Sequence, residues 1–327
     1  MDKLSTAVDL YATVSPARPQ PSKQPAASAA AIQPRSKQPA ASAAAPKQRS
    51  SKHPAAASAA APKRTAPPPA PAPPASGPPL PPTQRRYLTY EGNFQLRCAA
   101  IVLQCTQTPS DDGTVILAII VDARPFHPQG GGQPSDVGCI RHARTGAELR
   151  VAKVTFDFAT GVVTHACPGV AAADADDWIS GDACELEVDA ATREAYSACH
   201  SAGHAVDSAM VRAGYLLPPT KGYHFLDGPY VEYRGVIPAD DREPLVKKLQ
   251  DEFRNIVHED IATTIESLPL AQAEAELNAV QENFDLSVFK DPEVRVVGVA
   301  GFRCPCGGTH VRSTRLLRGY TVLGFKN

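Results

Sequence analysis

Two ligand pairs far apart in the chain set the first condition that any fold of this sequence must meet. His200-Ser-Ala-Gly-His204 and Cys306-Gly-Gly-Thr-His310 each place two metal-type side chains four positions apart. Together they offer three imidazoles and one thiolate, a donor set that fits a single tetrahedral Zn2+. The first pair lies in helix-like text, where four-residue spacing puts both rings on one face with Cβ atoms roughly 6 Å apart. Neither pair suffices alone. A helical His pair is more often a polar face, and a Cys after Pro305 is more often a small buried residue. Gly307-Gly308 leaves the backbone free to turn Cys306 and His310 towards one point. Spacing leaves one ambiguity, since Cys304 would point the same way as Cys306 from an extended run. Four protein ligands also make a closed shell, the usual structural arrangement, whereas catalytic zinc keeps an open position.

The rest of the fold must come from the C-terminal three-quarters of the chain. Residues 12–84 are dominated by Ala, Pro, Ser, Gln and Lys, and no aromatic residue occurs between Tyr11 and Tyr87. Ser22-Lys-Gln-Pro25 recurs as Ser36-Lys-Gln-Pro39 and Ser51-Lys-His-Pro54, each before an Ala/Ser run. So little apolar surface cannot offset chain entropy, and residues 1–84 are expected to be a disordered Ala/Pro/Lys-rich tail. Pro67 to Pro82 would be stiff and extended. The tail carries ten Lys/Arg against two Asp/Glu, while residues 85–327 carry 23 against 32. A basic tail suits RNA or another polyanion, or simply solubility. The acidic body argues against nonspecific nucleic-acid binding.

The remaining 243 residues are enough for one large domain or two small ones. No apolar run approaches the roughly 18 residues that span a bilayer, so no membrane partner is expected. The N-terminus lacks an apolar signal-peptide core. Asp2 and Asp9 disfavour a mitochondrial leader, so a cytoplasmic location is expected. Eight Cys in such a chain read as reduced thiols and ligands rather than a disulfide framework.

Strand-like runs occupy 94–102 and 115–121, a hairpin is expected over 151–166, and Leu186-Glu-Val188 closes the section. This spacing suggests a small barrel. Asp189 or Thr192 can cap a helix that runs to about Arg212 and stops at Gly214. His224 to Tyr233 reads as a strand broken at Asp227-Gly-Pro229. Leu245, Leu249, Phe253 and Ile256 recur at helical spacing within an amphipathic segment over 242–258. A strand is expected over 261–265, a short helix over 270–280, a strand over 294–299, and β-like text from 311 to 325. The fold class is therefore α+β: a small β-barrel-like module over 85–188, then an α+β domain over 189–327.

Pro125-Phe-His-Pro-Gln-Gly-Gly-Gly-Gln-Pro-Ser-Asp136 follows the second strand. Three glycines let the backbone pass close to another group and present bare N–H donors. The segment is no phosphate loop, because it lacks a Gly-Lys-Ser/Thr ending and a following helix. Most such loops are tight turns between strands. Here Gln133, Ser135 and Asp136 are polar enough to sit beside a buried carbonyl or amine.

Three segments now agree with one family. Pro125 to Gly138 resembles the glycine-rich motif of alanyl-tRNA synthetase editing domains. His200–His204 and Cys306–Val311 resemble that domain's His-x3-His and Cys-Gly-Gly-Thr-His. No aminoacylation domain is legible, so the chain resembles the free-standing AlaX type in its longer form with a leading β-module, over roughly residues 94–325. The resemblance implies Zn2+ held by His200, His204, Cys306 and His310. It implies hydrolysis of the ester linking a wrong amino acid to the acceptor end of tRNA(Ala): seryl-tRNA(Ala) above all, with glycyl-tRNA(Ala) as a further candidate. It also implies an editing fold like the second additional domain of threonyl-tRNA synthetases, whose substrate, seryl-tRNA(Thr), is the alternative. A non-catalytic tRNA-binding zinc module is the reading from a different class.

An aminoacyl ester is already activated, so a positioned water and an oxyanion partner suffice. Choosing serine over alanine means rewarding one hydroxyl with a buried polar partner. Gln133 and Thr309 are the candidate substrate contacts. Two features depart from the family: Thr314-Arg-Leu-Leu-Arg-Gly319 lacks the acid of the usual Thr-x-Glu-Ile-Gly run, and text for one further strand is missing after Phe325. An open sheet edge is expected there.

Overall fold

The computed structural model describes residues 9–16, 79–278, 286 and 291–326. Most of the expected 1–84 tail and the end of the expected 270–280 helix lie outside these residues.

The β-rich expectation after residue 85 becomes one seven-stranded antiparallel sheet. Its spatial order is Glu148–Val151, Gly138–His142, Ala183–Val188, Arg97–Pro109, Val115–Val121, Val163–Val170, Lys153–Phe156. The two outermost strands are separated in the chain only by Ala152, so the sheet curls back on itself and nearly closes. A register shift between Val102 and Gln104 bends the longest strand. Its first half pairs with Ala183–Val188 and its second with Val115–Val121. Val115, Leu117, Ile119 and Val121 alternate inwards at period two and pack with Ile140, Val154, Leu186 and Trp178. Each such Val, Leu or Ile buried contributes about 1.5–3 kcal/mol.

His165 is fully buried in this core, with Nδ1 at 3.1 Å from the Ile119 carbonyl and its ring edge-on to Phe126. Burial, reinforced by the Arg124 charge, pushes its pKa down to about 3. The unfolded chain, with an ordinary His pKa of about 6.5, takes up a proton that the folded chain refuses. Stability is thus intact above that value and falls as pH drops towards 3, by about 2 kcal/mol at pH 5. Urea unfolding at pH 7 and pH 5 should show this loss, and His165→Gln should remove that share of it. An unchanged slope in the variant would refute the assignment.

Asp189 caps the helix Ala190–Arg212 by accepting from the Thr192 N–H at 2.8 Å. The helix Ala239–Glu259 buries Leu245, Leu249, Phe253 and Ile256, the stripe read from the sequence. Both helices share a core with Val231, Tyr233, Val297, Val299 and Val322. A three-stranded sheet orders Thr264–Pro269, Glu293–Val299 and Phe302–Pro305. Ala300 and Gly301, at φ 54° and 84°, make the tight turn that delivers the chain to Cys306. No helix among the described residues is long and apolar enough to cross a membrane.

Several expectations need correction. The stretch 224–233 is not one broken strand. Asp227-Gly-Pro229 is a full turn, and the paired strands are Pro219–Tyr223 and Tyr230–Arg234. The first escaped notice because it contains Pro and Gly, which an edge strand tolerates. The strand expected over 261–265 runs from Thr264 to Pro269, and Phe302–Pro305 was not foreseen. Of the text over 311–325, Thr314–Leu317 is a 3-10 turn and only Tyr320–Lys326 is a strand. The expected tail also loses a piece: Asp9–Pro16 is a strand between Tyr230–Arg234 and Tyr320–Lys326, antiparallel to both. Among the described residues, Tyr320–Lys326 and Pro219–Tyr223 are the two outer strands of this sheet.

Candidate metal centre

The long helix carries a polar stripe at helical spacing: Ser197, His200, Ser201, His204, Asp207 and Ser208. On an exposed helix that pattern would be unremarkable, but all except His204 are buried, and buried polar groups require partners. The partners of Ser197, His200 and Ser201 come from the loop after Phe302–Pro305 and from the glycine-rich segment, those of Asp207 and Ser208 from Tyr233 and the Ala300 carbonyl. The two ligand pairs converge: the candidate ligand atoms of His200, His204, Cys306 and His310 all lie within 4.8 Å of one another. Cys306 Sγ is 3.4 Å from His200 Nε2 and 3.3 Å from His310 Nε2.

Geometry also separates the two thiols that spacing could not. Cys304 Sγ sits 3.5 Å from His204 Nδ1, behind the ring, while Cys306 joins the cluster. Burial raises the Cys306 pKa, but the His204 hydrogen bond and charge outweigh it, and the net value falls below that of an ordinary thiol. The thiolate is the form that ligates metal. Burial holds Cys304 above the ordinary value. Burial first, then neighbouring imidazoles, keeps His200 and His310 neutral and so able to donate a lone pair. His204 is different: against its burial, Cys304 and Asp207 favour the charged ring. A metal would compete with that proton.

The outer atoms of the rings are held in place. His200 Nδ1 meets Gln133 Oε1 at 2.8 Å, and His310 Nδ1 meets Ser201 Oγ at 3.1 Å. Asn93 clamps the His310 backbone, accepting from its N–H at 3.0 Å and donating to its carbonyl at 2.8 Å. Asp207 lies 3.5 Å from His204 Nδ1 and accepts a 2.6 Å hydrogen bond from Tyr233. Such contacts fix each tautomer so that Nε2 faces the centre. His204 Nε2 is itself buried without a hydrogen-bond partner. Orphaned nitrogen, thiolate and neutral imidazoles together fit zinc.

Gln133 and Thr309, the expected substrate contacts, are brought together at this centre, both fully buried. Gln133 Nε2 donates to Thr309 Oγ1 at 2.8 Å, the Thr309 N–H donates to Gln133 Oε1 at 2.9 Å, and Thr309 Oγ1 meets Ser197 Oγ at 2.8 Å. Gly308 is obligatory here, since an added Cβ would fall 2.2 Å from His200 Cε1. Removing a group that orients a ligand costs about 10–100-fold in metal affinity or activity. Gln133→Ala should therefore weaken zinc binding by that factor in a chelator competition. Unchanged zinc affinity with a selectively raised KM would instead make Gln133 a substrate contact.

Sequence reasoning missed Ser197, Ser201 and Asp207, although the polar stripe was there to read. It also missed His224, whose ring stacks on His200 with centroids 4.1 Å apart. Asn93 and Tyr233 carried no local signal at all.

Fold and site together define a mixed α+β protein in which a four-residue His/Cys cluster that could hold a metal ion lies against a glycine-rich loop. No family model matches the chain. The chain is 27% identical over 218 residues to the alanyl-tRNA editing protein AlaX-M of Methanosarcina mazei, covering 64% of this chain and 81% of that protein. AlaX-M of Methanosarcina barkeri is 26% identical over 216 residues, 64% of this chain and 83% of that one. The alanine–tRNA ligase of Halobacterium salinarum is 27% identical over 251 residues, 75% of this chain, which spans only 24% of the ligase. The likeness read from the three motifs thus holds across the folded body: the chain resembles the AlaX-type editing proteins.

Proposed function

We propose that the chain is an aminoacyl-tRNA deacylase that clears mischarged tRNA(Ala), with seryl-tRNA(Ala) as its main substrate and glycyl-tRNA(Ala) as a second. The observation that carries this reading is the convergence of the glycine-rich loop and both ligand pairs on one point, in a chain similar to proteins named for alanyl-tRNA editing. His200, His204, Cys306 and His310 would hold the metal. A Zn2+ bound there would supply Lewis acidity or fix the shape of the pocket.

The remaining chemistry belongs to the chain. Backbone is open at two glycines of the segments that build the site: a Cβ added at Gly131 or Gly307 would meet nothing within 4 Å, so an ester could approach the amides there. N–H donors aimed at a developing oxyanion supply several kcal/mol of barrier lowering, about 2.7–4 for one donor. Deeper in, Thr309 Oγ1 already serves Gln133 and Ser197, and a serine hydroxyl would share that network where alanine offers nothing. The acceptor end of tRNA is the partner, and a cytoplasmic location belongs to the same proposal.

The test supplies purified protein with seryl-tRNA(Ala) and alanyl-tRNA(Ala). Serine release well above the buffer rate, and faster than alanine release, is expected; no acceleration would overturn the reading. Equal serine release from tRNA(Thr) would move the substrate to the threonine branch. The complete four-ligand shell favours one competing reading, a non-catalytic zinc module that binds tRNA. Tight tRNA binding without deacylation would establish it.

A further inference from the structure

The hairpin that sends His224 into the metal centre presents a different chemistry on its other side. Side chains alternate along extended backbone, so Tyr223 and Phe225 flank His224 and face away from it. They form a stack: the Phe225 and Tyr223 rings are 4.7 Å apart at 16°, and Tyr223 and Tyr230 are 5.3 Å apart at 17°. Lys221 Nζ closes the row, 5.9 Å from the Tyr230 ring. All three rings are part-exposed, and Leu226 beside them is exposed. The Tyr223 hydroxyl donates to Asp227 at 3.1 Å, which fixes its ring plane.

We propose that this aromatic ladder is a stacking platform for the unpaired bases at the 3′ end of an RNA whose terminal ester enters the metal centre. The inference rests on the deacylase reading. Three observations select this occupant. Parallel rings ending in a cation match the flat faces and negative backbone of unpaired nucleotides, and base–aromatic stacking tolerates any sequence. The ladder is tied to the site: the His224 ring lies on His200, the His224 backbone N–H donates to the Gly132 carbonyl at 2.9 Å, and the strand Pro219–Tyr223 is one of the two outer strands of its sheet. The folded body is also acidic, with 23 Lys/Arg against 32 Asp/Glu from residue 85 onwards. Phosphate attraction is therefore weak over the body as a whole, and stacking takes over much of the holding of the strand.

The experiment compares the full chain with Tyr223→Leu/Phe225→Leu and with Phe225→Trp. Binding of a short RNA ending in CCA, with a fluorescent purine as its last base, is measured beside KM and kcat on seryl-tRNA(Ala). Hydrolysis of serine methyl ester, which carries no base to stack, is the control. The double variant should raise Kd for the RNA and KM for the tRNA by about tenfold or more, with kcat within about twofold. Hydrolysis of the methyl ester should stay unchanged, and Phe225→Trp should behave like the wild type. Unchanged Kd and KM would overturn the platform, as would an equal loss on the methyl ester, which would make the ladder merely structural. Should the double variant not fold, Phe225→Leu alone is judged by the same criteria. Tight RNA binding through the ladder without deacylation by the wild type would sink the deacylase reading and leave the platform standing. Deacylation with a KM indifferent to the ladder would do the reverse.

Discussion

Cys306→Ala should empty the metal centre, whereas Cys304→Ala should leave it loaded. Zinc content of the purified proteins is the direct readout, with one equivalent retained in the second variant and almost none in the first. Cys306 is the thiol within reach of His200 Nε2 and His310 Nε2, while Cys304 meets Nδ1 of His204. Losing an orienting group beyond the ligands costs about 10–100-fold, and losing a ligand should cost more, so deacylation by Cys306→Ala should fall by at least the upper end of that range. Cys304→Ala should stay within a few-fold of the wild type. The reverse pattern would move the thiolate ligand two residues upstream.

Arg193→Met should be the most destabilising substitution outside the metal centre. Arg193 and Asp136 are both buried and form a bidentate pair, with Arg193 Nε 3.0 Å from each Asp136 oxygen and Nη2 in contact with Oδ2. Arg193 also donates to the Pro125 and Asn93 carbonyls, at 2.7 and 3.3 Å. One guanidinium therefore ties both ends of the glycine-rich segment, and the segment that carries Asn93, to the first turns of the long helix. Removing it leaves a carboxylate buried without its counter-charge, at about 3–5 kcal/mol. For a body of this size the expected fall in Tm is roughly 6–20 °C. Asp136→Leu added to Arg193→Met should recover part of that loss, because two apolar groups need no partner. A melting temperature unchanged in the single variant would show the pair to be dispensable.

Much of this protein was legible in one dimension because the signals were local. The 115–121 run alternates and is a strand, and the spacing of Leu245, Leu249, Phe253 and Ile256 gives the buried face of a helix. Asp189 stands where a cap belongs, and the ligand types in the two pairs name a zinc-type donor set. Legibility failed where a residue's meaning depends on a distant neighbour. Asn93 is 217 positions from His310, and no window contains both. Pro219–Tyr223 reads poorly as a strand because its Pro and Gly are permitted only by its place at a sheet edge. Asp9–Pro16 is too short a run to stand out beside the low-complexity text that follows it, and its pairing partners, Tyr230–Arg234 and Tyr320–Lys326, lie at the other end of the chain.

The chain therefore carries in its letters the class of fold, the helix and strand cores and the chemistry of the metal ligands, since periodicity and side-chain type act over a few residues. Packing alone decided which thiol faces the imidazoles and which carboxylate and amide hold their outer nitrogens. It also decided that Gln133 and Thr309 bond to each other and, through Gln133, to His200. Most of these are matters of distance between segments far apart in the chain, 67 residues for Gln133 and His200 and 176 for Gln133 and Thr309, and a hydrogen bond that weakens steeply with angle and length is settled only in three dimensions.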